Sequence, residues 1–322
     1  MGYGGWSTNV YSAAASMRAA AGIDPFAYSV LGATKVHKDL DPKDVKIRES
    51  RDSDEHPEST AISVILDVTG SMIDIPRQVQ AKLAGLFGLL LRKGYVVDPQ
   101  ILFGAIGDAF TDHAPTQFAQ FESDNRLDDQ LGLILLEGNG GGQKHESYEL
   151  ALYFMARHTS IDCFEKRGKK GYLFIVGDEM AYPRVLARQV AQLIGDKLEG
   201  DIELADIVAE ASRTWDIYFI QPTSGSSYNA DPEVKRFWNR LLGENVLQLD
   251  NPDAVCEVIA LAIGMREGTI DLDQGIQDLL ELGMDSEAAR KALVPLGASR
   301  GAVATSTVPG DLDSADGGAD RI

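Results

Sequence analysis

Ala61-Ile62-Ser63-Val64-Ile65-Leu66-Asp67-Val68-Thr69-Gly70-Ser71-Met72 is the stretch that decides the fold. A mostly apolar run leads into an acid, two hydroxyls and a glycine, and a long apolar-periodic segment follows from Ile75 to Leu91. An apolar, β-rich run that ends in a turn and opens a helix is the first half of a β-α-β unit. In open parallel sheets, ligands bind where strands end and helices begin. Asp67, Thr69 and Ser71 belong to such an end. A carboxylate and two hydroxyls in one turn are hard oxygen donors suited to Mg²⁺ or Mn²⁺. The alternative is that they only cap the following helix.

Working outward, strands and helices alternate. Strands are expected at Ala61–Leu66, Gln100–Ile106, Gly171–Val176, Trp215–Ile220 and Val246–Leu249, with a short edge strand at Phe118–Phe121. Helices are expected at Ile75–Lys93, Leu127–Leu136, Ser147–Arg157, Pro183–Ile194, Ile202–Ala211, from Asp231-Pro232 onward, and from Asn251-Pro252 through Met265. This alternation predicts an α/β protein with a doubly wound, mostly parallel sheet. The strand Tyr172–Val176 ends at Gly177-Asp178-Glu179, which puts a second acid at a strand end, and Asp108 ends the second strand. Asp178 has the alternative of a turn residue, and Asp108 could sit outside a metal's ligands and orient a bound water.

The motif D-x-T-G-S-M after an apolar strand resembles the first metal loop of a von Willebrand factor A (vWA) domain, with Thr69 keeping the hydroxyl of the usual Ser. The resemblance covers about residues 60–265 and implies a doubly wound sheet with one antiparallel edge strand. It implies a metal-ion-dependent adhesion site with Asp67, Thr69 and Ser71 from the first loop and Asp178 from the third. The second loop of the family carries a Thr after a Gly-rich turn. Here Gly140-Gly141-Gly142-Gln143-Lys144-His145-Glu146-Ser147 has none, so Ser147 replaces the Thr or Glu146 adds a carboxylate. Glu146 could instead only favour the positive helix N-terminus. The implied cofactor is Mg²⁺, with Mn²⁺ or Ca²⁺ as substitutes. The implied function is binding an acidic group of a partner protein without catalysis, and the implied partner is a MoxR-type AAA+ ATPase or its client.

Two other readings stand beside this one. A metal-dependent hydrolase is the first. Thr69 occupies the place where a haloacid-dehalogenase-type phosphatase needs a second Asp, no Gly-Lys-Ser/Thr follows the glycine loop, and the histidines form no HExxH. The second is a structural or assembly protein with a vestigial metal site.

Composition bounds the partners. The chain of 322 residues carries a formal net charge of −19, which repels nucleic-acid backbones and anionic membranes as general partners. Cys163 and Cys256 make neither a metal-ligand spacing nor a disulfide framework, and reduced thiols in a cytoplasmic protein are expected. The start of the chain lacks the pattern of a signal peptide.

The domain reading is a 1–57 N-terminal extension with room for an Ala-rich helix at Ser12–Ala21, taken by default as a linker with an ordered flap or partner-binding arm next to the sheet as the alternative, a vWA domain over 58–267, a helical hairpin over 268–297 and a disordered acidic tail over 298–322. The hairpin helices are placed at Leu272–Leu282 and Ser286–Leu293. The run Leu279-Leu280-Glu281-Leu282-Gly283-Met284 is similar to the first helices and loop of a ubiquitin-associated (UBA) domain. A third helix is not evident, so an ordinary hairpin docked on the body is expected.

Overall fold

The computed structural model describes residues 4–138, 144–224 and 231–304, with side chains to 297. The central sheet holds six strands: β1 (Thr60–Asp67), β2 (Pro99–Ile106), β3 (Thr116–Phe118), β4 (Gly171–Val176), β5 (Trp215–Pro222) and β6 (Val246–Leu249). Their spatial order is β6-β5-β4-β1-β2-β3. All neighbours are parallel except β3, which runs antiparallel to β2 at the edge. The sheet is doubly wound, as the alternation of strands and helices predicts.

β1 is buried along its whole length, as a central parallel strand covered on both faces must be. Its alternation splits the core. Ile62, Val64 and Leu66 join one hydrophobic cluster, and Ala61 and Ile65 the other. The chain leaves β1 toward β2 on one side and reaches β5 and β6 through β4 on the other. The switch point therefore lies between β1 and β4, which are held in register by Ile65↔Ile175 and Leu66↔Val176.

Helices flank the sheet: α1 (Thr8–Ala21), α2 (Ile75–Ala81), α3 (Leu83–Phe87), α4 (Tyr148–Arg157), α5 (Leu204–Ala211), α6 (Pro232–Leu242), α7 (Val255–Glu267), α8 (Leu272–Leu282) and α9 (Ser286–Ala304), with shorter ones between. Several expected boundaries are corrected. The segment after β1 is not one helix. It breaks at Lys82 and ends in a π-helical turn over Gly88–Arg92, where the Lys82 ammonium reaches the buried Glu257 carboxylate at 2.7 Å. The expected helices at 183–194 and 202–211 each begin as strand, because Arg184–Val185 and Ile202–Glu203 pair antiparallel before their helices start.

The N-terminal segment is not a linker. Trp6 stacks on Phe87 with ring centroids 4.4 Å apart, the Tyr11 hydroxyl donates to the Gln80 carbonyl at 2.6 Å, and Arg48–Ser50 pairs parallel with Thr159–Ile161. Arg51 then bonds Asp162 and Glu165.

α7 is apolar on every side and buried from Val255 to Met265, so it needs cover on its outer face as well as on the sheet. α8 and α9 supply it. Leu279 and Leu293 are fully buried, and a Cβ at Gly275 would come within 2.9 Å of Leu261 in α7, so the two helices meet where only glycine fits. In the Leu282–Met284 loop the Met284 methyl packs against Gly85, while Leu282 stays exposed. α9 runs past Leu293 and through Pro295 to Ala304. The disordered acidic tail was expected from 298 on, but 298–304 continue α9; residues 305–322 lie outside the described residues, as does most of the glycine loop at 138–142. Among the described residues no helix is long and apolar enough to cross a membrane.

Candidate metal centre

Three loops meet at the carboxyl ends of β1, β2 and β4. Asp67 closes β1 and is fully buried. Its Oδ1 accepts from the backbone amide of Thr69 at 2.9 Å and from the Thr69 hydroxyl at 2.6 Å, the turn geometry expected of Asp at a strand end. Its Oδ2 accepts from the Tyr148 hydroxyl at the start of α4. The Tyr148 ring lies over Gly177, where a Cβ would stand 2.1 Å from the phenolic oxygen. The glycine that follows β4 is what lets α4 come so close to the strand end.

Asp178 follows Gly177 and is fully buried. It is close enough to Asp67 to raise that carboxyl, after burial itself, against the pull of Thr69 and Tyr148. Asp67 and Asp178 are thus brought together at the switch point. Ser71 lies partly exposed in the turn after β1 and donates no hydrogen bond to a described residue.

The second loop reaches the site through a pairing that the sequence does not announce. His145–Glu146 forms a two-residue parallel bridge with Met180–Ala181. That bridge brings Glu146 to the loop after β4, where burial first, then Asp67 and Glu179, push its carboxyl up. Glu179 is raised in turn by burial, Asp67 and Asp178, and a hydrogen bond with Glu146 partly offsets this. Glu146 Oε2 and Glu179 Oε2 are buried without a hydrogen-bond partner. Ser147 is fully buried. Its hydroxyl accepts from the Ala109 amide at 2.9 Å and its own amide donates to the Gly107 carbonyl at 3.3 Å. That ties the start of α4 to the loop after β2.

Sequence reasoning passed over Tyr148, Glu179 and Tyr182. Glu179 was within reach, being the neighbour of Asp178. Tyr182 was not, since its hydroxyl reaches Asp108 at 3.1 Å only through the fold. Asp108 is held by its own turn, accepting from the Phe110 amide at 3.0 Å and the Thr111 hydroxyl at 2.9 Å.

The donor set fits a hard cation in chemistry. Asp67, Glu146 and Glu179 ion-pair with no described Lys, Arg or His, and two of them keep an unpaired buried oxygen. Ionising such buried carboxyls without a partner is costly, which is why all three are pushed towards the protonated form, and a divalent cation would stabilise their ionised form. Among the described residues, however, no three His, Cys, Asp or Glu side chains converge closely enough to hold a metal ion by themselves. A cation here would draw on hydroxyls and water as well as carboxylates.

No protein-family model matches the chain, and no curated protein sequence matches it either. Among solved structures it is similar to the pilus adhesin SpaC from Lactobacillus rhamnosus GG, at 9% identity and a TM-score of 0.43, over 68% of this chain and 31% of that one. It is similar to the vWF domain of the type V pili tip protein Mfa5 from Porphyromonas gingivalis, at 11% identity and a TM-score of 0.39, over 65% and 95%. It is also similar to the BatB protein from Bacteroides thetaiotaomicron, at 11% identity and a TM-score of 0.37, over 66% and 100%.

Proposed function

We propose that the chain is a protein-binding module of vWA type. A divalent cation at the carboxyl ends of β1 and β4 takes up an acidic side chain of a partner protein, and the chain performs no catalysis. The observation that carries this reading is the buried acid cluster at the switch point, with unpaired Glu146 and Glu179 oxygens facing the Asp67 turn. Asp67, Thr69, Ser71, Asp178, Glu146 and Ser147 are the residues to hold the cation, with Glu179 added. Mg²⁺ is the expected ion, since oxygen donors with retained waters suit it. A MoxR-type AAA+ ATPase or its client is the partner class the resemblance implies.

A second reading is an assembly protein whose site is vestigial. It draws on the hydrogen bonds that already occupy both oxygens of Asp67. Titrating the purified chain with MgCl₂ and MnCl₂ in a calorimeter separates the two. Saturable heat that an Asp178→Asn variant loses supports the cation site, and no heat with either salt leaves the vestigial reading.

A further inference from the structure

The face beside the acid cluster carries an aromatic and basic rim that the cation site does not use. Phe110 projects from the loop after β2 and is 47% exposed, one residue beyond the amide that holds Ser147. Tyr182 packs against it with ring centroids 4.8 Å apart. The Arg188 guanidinium lies 5.8 Å from the Phe110 ring centroid, within reach of a cation–π contact.

Single exposed aromatics are ordinary. What marks this one is the cation above it. Neighbouring basic groups are committed, Lys144 to Asp231 at 2.6 Å and Arg184 to Glu203 at 2.7 Å. Arg188 is exposed and ion-pairs with no described residue, on a chain whose net charge is −19. A guanidinium over an aromatic that ion-pairs with no described residue, next to a site proposed to take one carboxylate, suits a second carboxylate.

We propose that this rim reads the residues flanking the acid that the cation takes. The occupant is a partner segment with a second Asp or Glu that meets Arg188 and an aromatic or large apolar side chain that lies on Phe110. The proposal rests on the cation reading above, and it turns that reading from one acid into a short acidic–aromatic motif.

A displayed library of random twelve-residue peptides tests it. Selection is run on the full chain in MgCl₂, in EDTA, and on Arg188→Glu and Phe110→Ala variants checked for unchanged thermal melts. The expected result is enrichment in MgCl₂ of peptides with two acids and an aromatic. Arg188→Glu should replace the second acid by Lys or Arg, and Phe110→Ala should lose the aromatic. Synthetic peptides of the enriched class should bind Arg188→Glu about fivefold more weakly at low salt, the scale of an exposed ion pair. Enrichment that EDTA abolishes but Arg188→Glu leaves unchanged overturns the rim and keeps the cation site. Enrichment that survives EDTA and still follows Arg188 keeps the rim and overturns the cation. No enriched class at all overturns the rim.

Discussion

The Tyr148 hydroxyl donates to Oδ2 of Asp67, and its ring occupies the space that any side chain at residue 177 would need. The first residue of α4 thereby sets the position of the acid that ends β1. The candidate site is consequently an assembly of three loops and one helix start. Tyr148→Phe deletes one hydroxyl and leaves a buried carboxylate short of a donor, at a cost of about 1–3 kcal/mol. Urea unfolding of the two proteins should show a lower midpoint with an unchanged slope. Equal midpoints would mean that Asp67 is held by Thr69 alone.

Asp67→Ala should leave the fold largely intact and remove cation-dependent binding. Clustered carboxylates repel without a cation, and Asp178 is among the groups that raise Asp67, so losing one acid relieves part of the strain on the site. MgCl₂ at a hundredfold excess over Kd should stabilise the native chain by about 2.7 kcal/mol and the variant not at all. Scanning calorimetry with MgCl₂ and with EDTA gives the comparison, and an equal Mg²⁺ effect on both proteins would sink the metal assignment.

Lys82 and Glu257 form a pair of which the carboxylate is fully buried. Burial pushes the Glu257 carboxyl up while Lys82 pulls it down. Lys82→Met alone strands that acid and should cost about 3–5 kcal/mol. The double variant Lys82→Met with Glu257→Leu should recover most of the loss, since a packed apolar pair can match a buried ion pair. A double variant no more stable than Lys82→Met would show that the pair shapes the break between α2 and α3 in another way.

The docking of α8 should depend on pH through Asp278. Burial acts to raise this carboxyl, but the combined bonds of Tyr95, Lys93 and Gln274 hold it below the ordinary value of 3.8. Lys93 reaches it at 2.9 Å and Tyr95 at 2.7 Å. A carboxyl depressed in the folded state stabilises fully above its unfolded value and loses that contribution as pH falls through its folded one. Native chain and Asp278→Asn should therefore differ in stability at neutral pH and converge in the acid range below the ordinary value of 3.8. Limited proteolysis between Met265 and Asp273 should become faster in the same range. Parallel stability curves across the acid range would remove Asp278 from the docking.

Most of the sheet was legible because its signals are local. β4 and β6 fall on the residues expected, and β1, β2 and β5 within two residues at either end, since buried parallel strands read as short apolar runs with punctuated ends. The loop after β1 was legible for the same reason, with its acid, hydroxyls and glycine within five residues of chain. The helix after β1 was misread as continuous. Lys82, where it breaks, meets Glu257, a residue far along the chain that no local window contains. The N-terminal segment was misread because its partners, Phe87, Gln80 and Thr159–Ile161, are equally remote.

By itself the sequence determined the α/β class, the five parallel strands to within two residues, though not the edge strand, which lies at Thr116–Phe118 and not Phe118–Phe121, and the identity of Asp67 and Asp178 as acids at the ends of two strands. Tertiary structure alone decided that β1 and β4 are neighbours across a switch point, that Tyr148 reaches Asp67 over Gly177, and that a two-residue bridge carries Glu146 to Glu179. The physical reason is that strand and turn signals come from adjacent residues, which share one backbone path. The electrostatics of the site come from groups on different loops, and their distances exist only once the sheet has ordered its strands.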